Sequence, residues 1–276
     1  MHTLAQVTQD RLGKRGRLRN VGIDPRVSFH RAEIGFANHA GQPDLSNPVP
    51  TLFPNPSQRW FLAAILLAGS SPFARCADEL TADLKHWLVE QMPGGSVATK
   101  DGALVIEDTG GSTLWLREKI TAPVEITYEI TPVFKGGAHD RVSDVNCFWM
   151  AREPKSDATF PASRSGKFSD YDSLFTYYVG MGGNNNSTTR FRRYDGTAAR
   201  PLLPEHDLKE KKFLLEANHT YHIRLVARDG VAEYWSDGQK IFTFQDPAPL
   251  TSGWFAIRTV KSHLEVRNLR ITPLKP

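Results

Sequence analysis

Cysteine is nearly absent: the 276-residue sequence contains Cys76 and Cys147 and no others. Two cysteines exclude the disulfide framework of a small secreted scaffold, and no cysteine spacing suited to zinc is present. Cys147 lies between Asn146 and Phe148 in a strand-like run, so we predict a small buried side chain there. A reactive thiol is the alternative at this position.

Familiar catalytic motifs are also absent from the sequence. It contains no phosphate-binding glycine loop, nucleophile elbow or Cys/His arrangement. It lacks the Glu-x-Asp-x-x-Glu strand motif of glucanases, which excludes the usual carboxylate pair of that class. A glycoside hydrolase would have to assemble its carboxylates in three dimensions, from Asp140 with Asp144 or from Glu233 with Glu265. Hydrolysis therefore stays an alternative.

A long apolar run is missing as well. Trp60–Gly69 follows Arg59 and is too short to span a bilayer comfortably, so we expect no membrane span. The positive flank, the apolar run and the small residues up to Cys76 predict a signal peptide over residues 59–76, with a buried core helix as the alternative. We therefore expect a periplasmic or secreted protein. Residues 1–58 fit a start codon placed too far upstream, and a disordered extension is the alternative.

Excess positive charge is confined to the first part of the chain. Residues 1–76 hold 9 of the 34 Lys and Arg and 4 of the 30 Asp and Glu, which leaves 25 basic and 26 acidic side chains from residue 77 onward. A domain so close to neutrality is a poor candidate for nucleic-acid binding. Clustered arginines within it therefore indicate a local site.

Residues 77–276 read as one domain of short strands. Turn signals such as Asp101-Gly102, Asp229-Gly230 and Asp237-Gly238 separate them, and residues 124–131 alternate apolar with polar. Residues 78–91 are the one stretch predicted as a helix or irregular lead-in. Strands at this spacing predict an all-β antiparallel sandwich.

Three stretches carry a family resemblance: residues 140–150, residues 177–194, and residues 254–259 with Ser262 and His263. They resemble an uncharacterised secreted bacterial family of concanavalin A-like lectin/glucanase jelly rolls, which is associated with polysaccharide degradation. The resemblance spans residues 86–274, which is nearly all of the chain after the predicted signal peptide. It implies a jelly-roll fold and a carbohydrate ligand, and it supplies no catalytic residues.

The hairpin at residues 177–194 is the most unusual stretch, because it holds three arginines within four positions. Strand alternation turns Phe191 toward the core and Arg190, Arg192 and Tyr194 outward. In the same way Phe255 and Ile257 point inward, and Leu264 is inward while His263 is outward. Outward arginines at a cleft suit a carboxylate ligand. The alternative for these arginines is a structural network with nearby aspartates.

The predicted site combines these outward residues with neighbours on the loops and turns. Predicted catalytic residues are Tyr194, Tyr177, His263 and Arg192; predicted substrate-binding residues are Arg190, Arg258, Trp254, Asp144, Asn146, Arg141 and Asn184. A second tyrosine, Tyr178, is predicted to lie in the core. No cofactor is predicted, although Asp170 and Asp172 could help to hold a structural calcium ion.

Arginine, tyrosine and histidine together suit β-elimination from an acidic polysaccharide or oligosaccharide. A cation neutralises the uronate carboxylate, and Tyr or His transfers protons. We therefore expect a secreted carbohydrate-active protein of lyase type. A non-catalytic carbohydrate-binding domain and a hydrolase are the alternatives.

Overall fold

The computed structural model describes residues 77–156, 160–161 and 163–275. The predicted N-terminal extension (1–58) and signal peptide (59–76) lie outside these residues. The strands are β1 Trp87–Gln91, β2 Ser96–Lys100, β3 Ala103–Glu107, β4 Ser112–Leu116, β5 Ile120–Thr121, β6 Val124–Pro132, β7 Val145–Arg152, β8 Phe175–Gly182, β9 Thr188–Asp195, β10 Asp207–Leu208, β11 Tyr221–Arg228, β12 Val231–Ser236, β13 Gln239–Gln245, β14 Ser252–Thr259 and β15 His263–Pro273.

Helical structure is short throughout the described ranges. It comprises α1 Ala77–Ala82, the turn α2 Gly183–Asn186, and 3-10 turns at Leu84–His86, Phe168–Tyr171, Pro204–His206 and Lys211–Phe213. The expected lead-in is therefore mostly not helical: β1 begins at Trp87, which pairs with Leu116 on β4. No helix among these residues is long and apolar enough to cross a membrane.

The strands form two antiparallel sheets. The front sheet has the order β1-β4-β14-β7-β8-β9-β10, with β5 paired to β14, and the back sheet has the order β13-β12-β11-β6-β15-β3-β2. Consecutive strands often change sheet, so that β6 lies in the back sheet and β7 in the front sheet. The predicted all-β antiparallel sandwich is confirmed.

The core lies between the two sheets. Phe255 of the front sheet contacts Tyr128 of the back sheet, with ring centroids 5.6 Å apart, and Phe191 contacts Phe242 at 6.0 Å. Cys147 is buried in the same core, as predicted, and burial raises the pKa of its thiol to about 12. The alternation that predicted Phe191, Phe255 and Leu264 as inward residues is correct.

A second aromatic cluster covers the outer face of the front sheet. Its members are Trp115, Phe148, Ala151, Phe160, Tyr171, Leu174, Tyr178, Tyr194, Trp254 and Ala256. Phe160 and Tyr171 come from the polar segment between β7 and β8, and they pack on Trp254 at 4.7 Å and on Phe148 at 5.6 Å. The described part of this segment lies across one end of the sheet face.

Glu90 on β1 anchors that segment. Its buried carboxylate accepts hydrogen bonds from Trp115 Nε1 (2.9 Å), from the Tyr171 hydroxyl (2.7 Å) and from the Arg164 backbone N–H (2.8 Å). Burial nevertheless raises the pKa of Glu90. A buried carboxylate with three donors holds the segment and the sheet together.

Candidate functional site

A row of mainly polar residues crosses the outer face of the front sheet. Strand pairing places Thr113, Arg258, Asn146, Gly180 and Arg190 side by side on β4, β14, β7, β8 and β9. Directly paired residues point to the same face of a sheet. Three of the predicted substrate-binding residues, on three different strands, therefore lie in one line.

A second row, two residues further along the strands, is mostly aromatic. It runs through Trp115, Ala256, Phe148, Tyr178 and Arg192. Phe148 lies 5.5 Å from Trp115 and 4.9 Å from Tyr178, measured between ring centroids. The aromatic row ends at β9, where Arg192 takes the place of an aromatic ring.

Where the two rows cross β8 and β9, both border a cavity of about 390 Å³. Its lining residues are Asp144, Phe168, Tyr178, Gly180, Gly183, Asn184, Thr188, Arg190, Arg192, Ala199 and Arg200. Gly180 leaves room for the Tyr178 hydroxyl, because a Cβ at position 180 would lie 2.7 Å from that oxygen. Four of the predicted site residues, Asp144, Asn184, Arg190 and Arg192, line this cavity together.

The turn between β8 and β9 forms one rim of the cavity. Gly182 has a φ of 65°, and Asn184, Asn185 and Asn186 have φ between 53° and 59°, a region that Gly and Asn tolerate better than other residues. Asn184 lines the cavity and donates to Thr188 Oγ1 at 3.1 Å. Asn186 instead bonds the Leu215 backbone. The turn is thus mainly structural, and Asn184 is its contribution to the rim.

The arginines around the cavity differ in their partners. Arg190 forms two hydrogen bonds to the Asp207 carboxylate, at 2.7 and 3.3 Å, and Arg200 lies 3.4 Å from Asp172. Arg192 donates to the Arg200 carbonyl and has no carboxylate within 4 Å in the described part of the chain. Burial lowers the pKa of Arg192, yet an arginine of this kind stays charged. The structural network with aspartates therefore exists for Arg190. The positive charge of Arg192 has no carboxylate partner among the described residues and could bind an anionic ligand.

Asp144 and Arg141 lie at the same rim, against the β8–β9 turn: the Asp144 backbone N–H donates to the Gly182 carbonyl at 3.1 Å. Arg141 Nη2 is 3.4 Å from Asp144 Oδ2 and donates to Asn185 at 2.6 Å. Ser143 also donates to Asp144, at 2.6 Å. Asp144 is the one carboxylate among the described lining residues. Arg141 contacts Asp144 but does not line the cavity.

Arg258 and Asn146 are buried beside the cavity. Arg258 Nη1 donates to Thr113 Oγ1 at 2.7 Å and to the Gly166 carbonyl at 3.0 Å, and its guanidinium lies 4.7 Å from the Phe168 ring. Arg258 Nε and Asn146 Oδ1 have no partner among the described residues. Burial lowers the pKa of Arg258.

Tyr177 does not lie at this site, and the prediction for it is wrong. Its side chain points into the sandwich core, where the hydroxyl donates to Asp246 at 2.7 Å and accepts from the Leu250 N–H. Tyr178, predicted as core, takes the position beside Arg192. Alternation along β8 from Gly180 would have shown this, since Tyr178 shares the face of the residue that pairs with Arg190.

His263 does not lie near Arg192 either. It begins β15 in the back sheet, and because Leu264 points into the core, His263 points to the opposite outer face. Its Nδ1 lies 2.8 Å from Asp140 Oδ1. The expectation of one cleft holding both residues is wrong, because it treated outward positions on two different sheets as one surface.

Trp254 and Tyr194 lie on the correct face but under cover. Trp254 is 6% exposed beneath Phe160, so it offers no open platform for a sugar ring. Tyr194 is fully buried below the cavity, its ring 5.7 Å from that of Tyr178, and its hydroxyl has no partner among the described residues. Neither residue touches the cavity directly.

The acidic residues considered above for a carboxylate pair or a calcium site, Glu233, Glu265, Asp170 and Asp172, contact other side chains. Glu233 bonds Lys240 and Trp235, and Glu265 lies near Arg267, on strands separated by β11 and β6. Asp170 accepts from Ser165, and Asp172 pairs with Arg200. In the ranges that the structure describes, no group of three or more His, Cys, Asp or Glu could hold a metal ion.

The fold is similar to those of several solved structures. A protein with a galectin-like fold from Bacillus subtilis is 16% identical, covering 68% of this chain and 89% of that one, with a TM-score of 0.54. The Bacillus subtilis carbohydrate-binding module CBM66 (14%, 67% and 94%, 0.45) and the metal-free carbohydrate recognition domain of Emp46p (13%, 71% and 93%, 0.49) are more weakly similar. At 16% identity the galectin-like protein bears on the fold alone, and it confirms the predicted jelly roll.

The sequence itself matches no curated protein. A family match spans residues 106–269, which run from β3 to β15 and include every residue that lines the cavity. The chain therefore belongs to the family described as domain of unknown function DUF6250.

Proposed function

We propose that this protein binds an acidic polysaccharide or oligosaccharide in the front-sheet cavity, with Arg192 holding a sugar carboxylate. The observation that carries the proposal is the Arg192 guanidinium, which lines the cavity without a carboxylate partner among the described residues. Arginine binds carboxylates through two parallel charge-assisted hydrogen bonds. Arg190 and Arg200, which are already paired with aspartates, would add positive charge near the same carboxylate.

The remaining lining residues suit a sugar ring. The half-buried Phe168 presents aromatic surface, with the Tyr178 ring packed against it at 5.5 Å between centroids, and Asn184, Thr188 and Asp144 supply hydrogen-bonding groups. A few polar groups around apolar surface are typical of small-ligand sites.

β-Elimination is the second proposal, and the Tyr178 hydroxyl favours it. This hydroxyl lies over Gly180 and has no hydrogen-bond partner among the described residues. A tyrosine phenol is neutral at pH 7 and so carries a proton to donate. Burial raises the pKa of Tyr178, which keeps the phenol protonated but makes it a weaker acid. Its position beside Arg192 joins the two groups that this chemistry needs.

Residues that line the cavity could carry out both proton transfers of the elimination. Asp144 accepts the C5 proton, the freed electron pair forms the C4–C5 double bond, and the C4–O bond breaks. Tyr178 gives its proton to the leaving oxygen. Arg192 neutralises the carboxylate while negative charge builds up on it. Hydrolysis has less support, because a hydrolase needs two carboxylates and the described lining offers Asp144 alone.

Calorimetry with polyuronates and with a neutral glucan of matched length tests the binding proposal. We expect binding of at least one polyuronate and none of the neutral chain. Failure of every polyuronate to bind would overturn it.

Ultraviolet absorbance of unsaturated uronate products tests the elimination. Absorbance should rise with the wild-type protein and not with Tyr178→Phe, while the variant still binds. Binding without new absorbance would leave a carbohydrate-binding protein and reject the lyase.

We also propose that the protein acts in the periplasm or outside the cell. The support is the charged flank, apolar run and small residues at positions 59–76. An acidic polysaccharide would be met in that compartment.

A further inference from the structure

Buried polar atoms without partners cluster next to the cavity. They are Arg258 Nε, Asn146 Oδ1 and the Tyr194 hydroxyl, all of which belong to the outer face of the front sheet. Arg258 and Asn146 are directly paired on β14 and β7. The first is a donor and the second an acceptor, so one uronate unit could satisfy both, its carboxylate accepting from Arg258 and a ring hydroxyl donating to Asn146.

Arg258 is an unusual residue to bury. It is 1% exposed and has no carboxylate within 4 Å in the described part of the chain. Asp108 and Asp144 act on it only from a longer distance. A buried charge without a carboxylate partner is costly, so an anion that reached Arg258 would find a strong partner there.

The Phe168 ring forms the wall between this group and the cavity. It lines the cavity and lies 4.7 Å from the Arg258 guanidinium, 5.2 Å from that of Arg200 and 5.5 Å from the Tyr178 ring. Phe168 begins the short 3-10 turn Phe168–Tyr171 and is only half-buried. A rotation of this one side chain would join the cavity to Arg258.

We infer that Arg258 and Asn146 form a second anion-binding subsite, which receives another carboxylate of the same ligand when the Phe168 ring moves aside. The inference rests on the proposed binding function and extends it to a ligand class. β9 and β14 are three strand spacings apart, about 14 Å, so the two carboxylates belong to different sugar units. The ligand is a polyuronate with closely spaced acidic units.

Calorimetry with a methyl uronoside and with oligouronates of two to five units tests the subsite. Wild-type affinity should rise by about tenfold or more once the chain reaches from Arg192 to Arg258. Arg258→Gln should remove this rise and leave the affinity for the methyl uronoside unchanged. Phe168→Ala should weaken binding of the methyl uronoside, because it removes aromatic surface from the cavity, and should enlarge the rise in affinity with chain length, because the wall is gone.

The controls separate the two proposals. Arg267→Gln changes an arginine on the back sheet and should leave every affinity unchanged. Where no uronate binds to the wild-type protein, the proposed function itself fails. Where the methyl uronoside binds through Arg192 and the rise with length is absent or is insensitive to Arg258→Gln, this inference alone is wrong. If Arg258→Gln does not fold, a rise with chain length in Phe168→Ala that only equals the wild-type rise still overturns it.

Discussion

The two outer faces of the sandwich both carry arginines, but they differ in what those arginines contact. On the back sheet, Arg224 bonds Glu125 at 2.6 Å and Arg267 lies 3.7 Å from Glu265, in partly exposed ion pairs. On the front sheet, Arg192 and Arg258 have no carboxylate within 4 Å among the described residues. Arg224 and Arg267 are thus paired with carboxylates of their own sheet, whereas Arg192 and Arg258 are left without such a partner.

The faces also differ in cover. The back-sheet face of β6 alternates buried with half-buried residues, so Glu125, Thr127 and Glu129 meet solvent. On the front sheet, β7 and β8 are buried on both faces because the β7–β8 segment packs over them. Reduced contact with water strengthens electrostatic interactions. A carboxylate bound beside Arg192 would therefore be held more strongly than one on the back sheet.

Stability should show the largest contrast between the faces. Glu90→Ala leaves the Trp115, Tyr171 and Arg164 donors without their acceptor, so we expect a loss of about 3–5 kcal/mol in the free energy of unfolding. Glu125→Ala, which removes an exposed ion pair with Arg224, should cost about 1 kcal/mol or less. Urea unfolding measures both. Equal losses would show that the covered face is no more tightly held than the open one.

Ligand affinity should show the next largest contrast. Arg192→Ala should weaken polyuronate binding by about 10- to 100-fold, the equivalent of about 1.5–3 kcal/mol for a charged hydrogen bond. Arg224→Ala on the back sheet is the matched control and should bind normally. Calorimetry measures both variants, and circular dichroism checks that they fold. Unfolding of Arg192→Ala would indicate that this arginine supports the structure.

The smallest contrast should be in the pH dependence of stability, to which Asp140 and Glu90 contribute with opposite sign. Backbone N–H groups of Lys135 and Gly137 lower the pKa of Asp140 to about 2, so its stabilisation is complete above its ordinary pKa and is lost as pH falls through about 2. Burial raises the pKa of Glu90, so its contribution declines as pH rises above its ordinary value.

Urea unfolding between about pH 2 and 7 measures these contributions. The difference between the wild-type protein and Asp140→Asn should be largest above about pH 4 and should shrink toward pH 2. For Glu90→Gln, the wild-type protein should be favoured most at low pH. Parallel profiles for the two variants would contradict the assignment of opposite shifts.

Local alternation could be predicted from the sequence because it depends on neighbouring residues alone. It correctly predicted that Phe191 points inward and that Arg190 and Arg192 point outward. It also correctly predicted Phe255 as inward and Arg258 as outward. The turn signals predicted short strands, and hence the antiparallel sandwich. These features need no knowledge of which strands pair.

The assembly of the site depends on pairing between distant strands, which alternation cannot supply. His263 was misplaced because β15 joins the back sheet. Tyr177 was chosen because the alternation of β8 was not combined with the pairing of Gly180 with Arg190. The cover over Trp254 comes from Phe160, nearly a hundred residues away in sequence. The ion pair that occupies Arg190 depends on Asp207, seventeen residues further along the chain.

Cys147 connects the sandwich core to the proposed site. Its thiol is 1% exposed in the core, while its neighbours Asn146 and Phe148 face the ligand side of the same strand. An alkylating reagent can reach that thiol only in molecules whose β7 has left the core. In a Cys76→Ser chain, the labelling rate thus reports how often the binding strand opens. A ligand that holds the closed form slows the rate in proportion to its occupancy, whatever its chemistry. The protein therefore contains its own reporter for screening sugars.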